Sequence, residues 1–311
     1  MAEEVRAVID VGTNSVKLLV GAVKKDAVQP LHESSHQTRL GQGFYETHIL
    51  QSSAIQETAR SVAEFAALAT SWKALSIKIV ATSAARDAVN KKDLLNAIST
   101  ACGLQVTVIS GEQEADWAYR GVTTDPGLHS QPLLVMDVGG GSTEFILGQH
   151  GKRLFAESFP LGSVRLLERV PMDDPPTQSQ LAAYEREIDQ VLERRVRPDL
   201  DRELSALKGE KQLVGTGGTS TILARIRLGL MNFDREKIDG LRLSKAEVQR
   251  EKERLWSMAL AERRNIVGLP PNRADVILPG VLIFERVMQA FRFDSLRVST
   301  RGIRFAALMD P

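Results

Sequence analysis

Two stretches of this 311-residue chain repeat one pattern. The first runs Val8-Ile9-Asp10-Val11-Gly12-Thr13-Asn14-Ser15 into Val16-Lys17-Leu18-Leu19-Val20. The second runs Val135-Met136-Asp137-Val138-Gly139-Gly140-Gly141-Ser142 into Thr143-Glu144-Phe145-Ile146-Leu147. β-rich apolar residues on both sides of an Asp-x-Gly turn specify a hairpin. A single hairpin of this kind is ordinarily only a turn. Two copies, one near the start and one near mid-chain, predict two similar lobes with a cleft between them. Glycine lets such a turn tighten and bring its N–H groups against a ligand. Successive N–H groups form a concavity that suits phosphate oxygens. Ser and Thr hydroxyls add donors, and the Asp can hold a divalent cation or its water shell.

The length suits two domains of ordinary size. A net charge of +1 gives no global basic field, so nucleic acid is not the expected partner and any polyanion must be held by local loops. Cys102 is the only cysteine, which excludes an intrachain disulfide and a cysteine-based zinc site. The charged segment Met1-Ala2-Glu3-Glu4-Val5-Arg6 does not read as a signal peptide, and stretches such as 276–284 are too short for a membrane span. The expectation is a cytoplasmic protein that does not enter a membrane.

Along the chain, strands alternate with helices, the pattern of an α/β fold. Residues 28–40 read as a strand leading to the turn Leu40-Gly41-Gln42-Gly43. Ile55, Ala59, Val62, Phe65 and Ala66 recur at helical spacing, predicting a helix from Ser52 to Trp72. Residues 77–82 and 105–109 read as strands, and helices follow each. The polar, turn-rich segment 123–132 marks the lobe boundary. Beyond it come the second hairpin, a strand over 152–160 leading to Leu161-Gly162-Ser163-Val164-Arg165, and a charged helix over 177–195. A strand over 211–215 follows, then a helix from Ser244 to Met258 with Glu247 completing a capping box. A long helix over 275–292, a strand over 296–299 and a helix over 302–309 close the series.

Several short motifs could carry chemistry. Ser110-Gly111-Glu112-Gln113-Glu114-Ala115 joins a strand to a helix. Ser110 and Gln113 suffice for a capping box, which leaves Glu114 spare as a carboxylate able to orient and deprotonate water. Arg86, in Thr82-Ser83-Ala84-Ala85-Arg86-Asp87, falls in a first helical turn, where a cation is disfavoured unless an anion joins it. It could equally pair with Asp87 or solvent. Gly215-Thr216-Gly217-Gly218-Thr219 resembles an anion-binding helix N-terminus but lacks the Gly-Lys-Ser/Thr ending of a Walker A loop. Asp137 and Glu144, across the second hairpin, could share a metal or be a turn Asp and a strand Glu. The five histidines (32, 36, 48, 129 and 150) show no metal-ligand spacing.

Taken in order, Asp10–Ser15, Ala81–Arg86, Ser110–Ala115, Asp137–Glu144, Gly215–Thr219 and Gly268-Leu269-Pro270-Pro271-Asn272-Arg273-Ala274-Asp275 resemble the exopolyphosphatase/guanosine pentaphosphate phosphohydrolase family. The resemblance covers nearly the whole chain. It implies two ribonuclease H-like lobes of the actin-like ATPase (sugar kinase/Hsp70/actin) superfamily, with an interlobe cleft. The N-terminal lobe would span 1–124, completed by a C-terminal helix at about 301–311, and the second lobe 125–300. The implied activity is hydrolysis of the terminal phosphate of inorganic polyphosphate, with short chains preferred, or of the 5′ γ-phosphate of guanosine pentaphosphate.

By resemblance, the catalytic residue is Glu114. The metal residues are Asp137 and Glu144, with Asp10 a further candidate, and the ion is Mg²⁺ or Mn²⁺. The phosphate-binding residues are Asn14, Ser15, Arg86, Gly140, Gly141, Ser142, Gly217, Gly218 and Thr219. A homodimer stays open as an assembly. The chain departs from the family's Gly-x-Arg-Glu-Gly pattern at Gly302-Ile303-Arg304-Phe305-Ala306, which puts the contacts of that helix in question, and from its frequent acid at the position of Gln113. A small-molecule kinase of the same superfamily and a non-catalytic sensor of guanosine penta- or tetraphosphate are the alternatives.

Overall fold

A computed structural model describes residues 3–25 and 27–310. The chain divides into two compact units, one formed by residues up to Thr124 together with those from Gly302, the other by Asp125–Arg301.

In the first unit the elements run β1 (Glu4–Val11), β2 (Val16–Lys24), β3 (Ala27–His36), α1 (Ser52–Ser71), β4 (Ser76–Ala81), α2 (Ser83–Asp87), α3 (Lys91–Cys102), β5 (Val106–Val108) and α4 (Gly111–Val122). The sheet order is β3-β2-β1-β4-β5. β1, β2 and β3 pair antiparallel, whereas β4 and β5 join parallel to β1. The helical spacing read from the sequence is the buried stripe of α1, where Ile55, Ala59, Val62, Phe65 and Ala66 all face inward. They pack with Ile9, Leu18 and Ile79 of the sheet into one core. β3 ends at His36, short of the expected residue 40, because Gln37 to Gly41 leave the sheet to bond the β1–β2 turn.

The second unit repeats this plan. Its strands are β6 (Leu133–Val138), β7 (Thr143–Gln149), β8 (Lys152–Phe159), β9 (Gln212–Thr216), β10 (Arg242–Ser244) and β11 (Ser295–Val298), in the order β10-β11-β9-β6-β7-β8. β6, β7 and β8 are antiparallel, and β9 and β11 extend the sheet in parallel. The helices are α5 (Pro126–His129), α6 (Ser163–Arg169), α7 (Gln178–Val191), α8 (Arg197–Ala206), α9 (Gly217–Leu228), α10 (Arg235–Ile238), α11 (Lys245–Trp256), α12 (Leu260–Arg263) and α13 (Ile277–Ala290). α13 is buried along nearly its whole length, from Ile277 through Met288, at the centre of the second core. Finally α14 (Ile303–Met309) returns to the first unit and packs on α4, β1 and β2. Two ribonuclease H-like units in one chain make the architecture of the actin-like ATPase superfamily.

Two local readings change. The helix expected to stop near residue 195 continues through a π-helical segment, Leu192–Val196, into α8. Pro198 lacks an N–H and would clash in a regular helix interior. The wider π turn just before it accommodates the ring. Phe305, standing where the family pattern has Glu, is buried at 2% exposure and serves as core. Among the described residues, no helix is long and apolar enough to cross a membrane.

Candidate active site

The two Asp-x-Gly turns are built alike. Gly12 N–H donates to Ser15 O at 3.0 Å, and Gly139 N–H donates to Ser142 O at 2.9 Å. In each turn the next carbonyls are drawn off by a neighbouring segment. Thr13 O accepts from Gly41 N–H at 2.7 Å and Asn14 O from Arg39 N–H at 3.1 Å. In the second turn, Gly139 O accepts from Ser163 N–H at 3.0 Å, and Gly140 O from Val164 N–H at 2.8 Å and Arg165 N–H at 3.0 Å. Gly141 O accepts from Arg165 Nε at 2.8 Å. With the carbonyls turned one way, the N–H groups of Thr13 and Asn14, and those of Gly140, Gly141 and Ser142, have no backbone acceptor among the described residues. Two rows of unpaired N–H groups are what a phosphate-binding turn requires.

A third such group lies at α9. Thr216 is its N-cap, yet makes no side-chain cap bond, so the N–H groups of Gly217, Gly218 and Thr219 are left over at the helix start. Gly217 sits at φ +91°, and a Cβ there would fall 2.3 Å from Asp137 Oδ1. Only glycine lets this backbone lie against the carboxylate. Asp137 is paired in register with Thr216 on one side and Glu144 on the other, so β6 brings the second and third motifs together. The Thr219 side chain packs on α13, where a Cβ at Gly280 would meet its Oγ1 at 2.5 Å. What Thr219 can offer a phosphate is therefore its N–H.

Asp137 and Glu144 are directly opposed across the β6–β7 ladder, which puts both side chains on one face of the sheet. Glu144 is only 1% exposed. Its Oε1 accepts from Ser142 Oγ at 2.8 Å and Ser158 Oγ at 2.7 Å. Hydroxyl donors on both sides hold the carboxylate in one orientation. In the first unit, Asp10 is buried, its Oδ1 has no partner, and burial raises its pKa above the ordinary 3.8 against the opposing pull of Lys17 and Arg304. Thr13 Oγ1, Asn14 Nδ2 and Ser83 Oγ are likewise buried without a partner. A buried unpaired polar atom is costly, and a cluster of them around one turn is a set of groups that a bound ligand or water would satisfy.

Among the described residues, no group of three or more His, Cys, Asp or Glu side chains is gathered for a metal. Mg²⁺ does not need one: it takes one or two carboxylates, with substrate phosphates and waters completing its shell. The oxygen donors of Asp137 and Glu144 fit that demand.

Glu114 enters from α4. Ser110 Oγ caps the helix by accepting from Gln113 N–H at 3.1 Å; the return bond expected of a full capping box is not formed. Glu114 stands outside the cap, 8% exposed. Arg86 Nη1 donates to Glu114 Oε2 at 2.9 Å and to Ile109 O at 3.2 Å. The helix bearing Arg86 ends at Asp87 after five residues, so Arg86 lies in its last turn and not at the start of a long helix. The penalty expected of a cation at a helix start therefore does not arise, and the neighbouring carboxylates Glu114 and Asp87 pair with the guanidinium.

One functional candidate had no individual role in the sequence reading. A Cβ on Gly218 would lie 3.9 Å from Arg273 Nη1, which places a guanidinium beside the open N-terminus of α9. The residue belongs to the Gly268–Asp275 motif, whose order was recognisable but whose neighbour, 55 positions earlier, was not.

The sequence model of the Ppx/GppA phosphatase family matches residues 19–310. Exopolyphosphatase 2 of Mycobacterium tuberculosis is 33% identical over 312 aligned positions, covering 96% of this chain and 95% of that protein. Among solved structures, the Ppx-GppA enzyme of Aquifex aeolicus superposes with a TM-score of 0.79 at 30% identity over 100% of both chains. An exopolyphosphatase of Cytophaga hutchinsonii superposes with 0.88 at 27% identity, over 98% of this chain and 96% of that one. Motifs, topology and likeness over the full length agree, and the chain belongs to the Ppx/GppA phosphatase family.

Proposed function

We propose that this phosphatase is an exopolyphosphatase that removes the terminal phosphate of inorganic polyphosphate, and that guanosine pentaphosphate, at its 5′ γ-phosphate, is a second substrate. The observation that carries the reading is the run of unpaired N–H groups at Gly140, Gly141 and Ser142, next to the uncapped start of α9. A phosphoanhydride chain is the ligand such donors suit. The exopolyphosphatase names of the M. tuberculosis and C. hutchinsonii relatives agree with it.

In this reading, Glu114 orients a water for in-line attack on the terminal phosphorus and accepts its proton. The P–O bond to the bridging oxygen breaks, and the shortened chain leaves. The N–H groups of the second hairpin and of α9 hold the phosphoryl oxygens and are preorganised for the charge of the transition state. Asn14, Ser15 and Arg86 are the further phosphate donors that the family resemblance implies. Asp137 and Glu144 would hold Mg²⁺ or Mn²⁺, with Asp10 a further oxygen donor, and the ion when bound offsets phosphoryl charge.

With a net charge of +1, the chain has little general attraction for a long polyanion, so short chains are expected to be the better substrates. Phosphate release from tripolyphosphate, from chains of hundreds of units and from guanosine pentaphosphate tests the reading. The highest kcat/KM should fall on the short polymer. Release from none of the three overturns the assignment, and ATP-dependent phosphorylation of a small acceptor would favour a kinase.

A further inference from the structure

The geometry points to Arg165 as a positioning residue that aims the phosphate-binding N–H of Ser142. The inference rests on the proposed function of the Gly139–Ser142 turn but adds a residue outside that turn.

A trans peptide is a rigid plane in which the carbonyl and the following N–H point in opposite directions. Fixing a carbonyl therefore fixes the direction of the next residue's N–H. Three consecutive peptides of the second turn are fixed in this way from the start of α6. Ser163 N–H takes Gly139 O, which aims the N–H of Gly140. Val164 and Arg165 N–H take Gly140 O, which aims that of Gly141. The third peptide is set by a side chain: Arg165 Nε donates to Gly141 O at 2.8 Å and so aims the N–H of Ser142.

The fit is close. A Cβ at Gly162 would lie 2.4 Å from Gly140 O and 2.5 Å from Gly141 C, so α6 can reach the turn only because its N-cap residue is glycine. The turn itself carries Gly139, Gly140 and Gly141 in succession. Glycine peptides rotate with little steric penalty, and such a turn would sample several orientations of its N–H groups without an external clamp. α6 supplies the clamp. The bond from Arg165 Nε to the turn is with backbone, and what that bond contributes is orientation of a donor.

An electrostatic donor acts on the transition state through its alignment, and misalignment lowers kcat more than it raises KM. Replacing Arg165 by Ala should lower kcat about 10- to 100-fold, by analogy with the loss of residues that orient metal ligands. KM for tripolyphosphate should stay within a few-fold, and the melting temperature should change little. Arg165→Lys keeps the charge and most of the stem but lacks the Nε–H at that distance, so it should be about as impaired as Arg165→Ala. If lysine restores near-wild-type kcat, charge and not the bond to Gly141 O is what matters, and the proposal fails. If Ala raises KM and leaves kcat unchanged, Arg165 is a direct substrate contact and the proposal also fails.

A second measurement stands apart from hydrolysis. In amide NMR spectra of the substrate-free protein, the Gly141 and Ser142 resonances should be single and sharp in wild type. In Arg165→Lys they should shift and broaden through exchange, while resonances of the first unit stay put. Unchanged Gly141 and Ser142 signals in a folded Arg165→Lys protein overturn the clamp, whether or not polyphosphate is the substrate. If those signals change but the wild-type protein releases no phosphate from any polyphosphate, the clamp stands and the proposed function is what has failed.

Discussion

Arg86 holds Glu114: its Nη1 lies 2.9 Å from Glu114 Oε2, joining two residues 28 positions apart in sequence, on the helices α2 and α4 that follow β4 and β5. A carboxylate tied to a guanidinium at that distance is held in orientation.

The first prediction follows from that pairing. Glu114→Gln keeps the size, the helix propensity and the acceptor for Arg86, and leaves the Ser110 cap intact. The variant should melt with wild type and bind polyphosphate at least as well, since a negative charge has left an anion site. Its kcat should fall by about 10²–10⁴, the usual range for loss of a general base. Melting temperature, binding and turnover should be measured on one preparation. Turnover within a few-fold of wild type would remove Glu114 from the role of base.

Asp10 gives a prediction with the opposite sign for stability. Burial raises its pKa, so the folded protein holds the proton more tightly than the unfolded chain does. The ionised form is the disfavoured one, and stability is lost as pH rises from the ordinary value of 3.8 through the folded value. Asp10→Asn removes that loss. The variant should melt a few degrees above wild type at pH 7, with the difference vanishing in acid, while phosphate release falls. A melting temperature at or below that of wild type at pH 7 would show that the carboxylate is satisfied in the folded protein.

Chelation should abolish turnover, because the opposed carboxylates Asp137 and Glu144 suit a hard divalent cation. Asp137→Asn should shift the Mg²⁺ titration to higher concentration by about tenfold or more without changing the fold. Hydrolysis that persists in excess EDTA, or an unmoved titration in the variant, would exclude the metal role.

Arg273 stands beside Gly218 at a helix start, where a cation is unfavourable unless an anion is also present. Charge-assisted hydrogen bonds contribute roughly 1.5–3 kcal/mol. Arg273→Gln should therefore raise KM for tripolyphosphate at least about tenfold. The defect should shrink at high ionic strength, where the wild type itself binds less well. Equal KM values across a salt series would place Arg273 outside the binding surface.

Much of this was legible in the chain. The hairpins declared themselves because an Asp-x-Gly turn between β-rich runs is a short-range signal, and the buried stripe of α1 because it repeats at helical spacing. The capping box of Ser244 and Glu247 formed as the local pattern required. What escaped were arrangements set by distant partners. α6 has seven residues and no side-chain cap; it is held by the carbonyls of a turn some 24 positions earlier. Sequence cannot show that α2 ends at Asp87, which puts Arg86 in the last turn and not at the start of a long helix. The expected strand past residue 36 was diverted by bonds to Asn14 and Thr13, which no propensity encodes.

The return of α14 to the first unit bears on the order in which the protein can be made. Asp125–Arg301 is one uninterrupted stretch and has all its strands in hand once Val298 is synthesised. The first unit, although its sheet is translated earlier, lacks the helix that covers α4, β1 and β2 until residues 303–309 appear. On a ribosome the unit begun first is thus completed second. During that interval the apolar surface later covered by Phe305, Ala306 and Leu308 is bare, and exposed apolar surface of that kind is prone to misassociation.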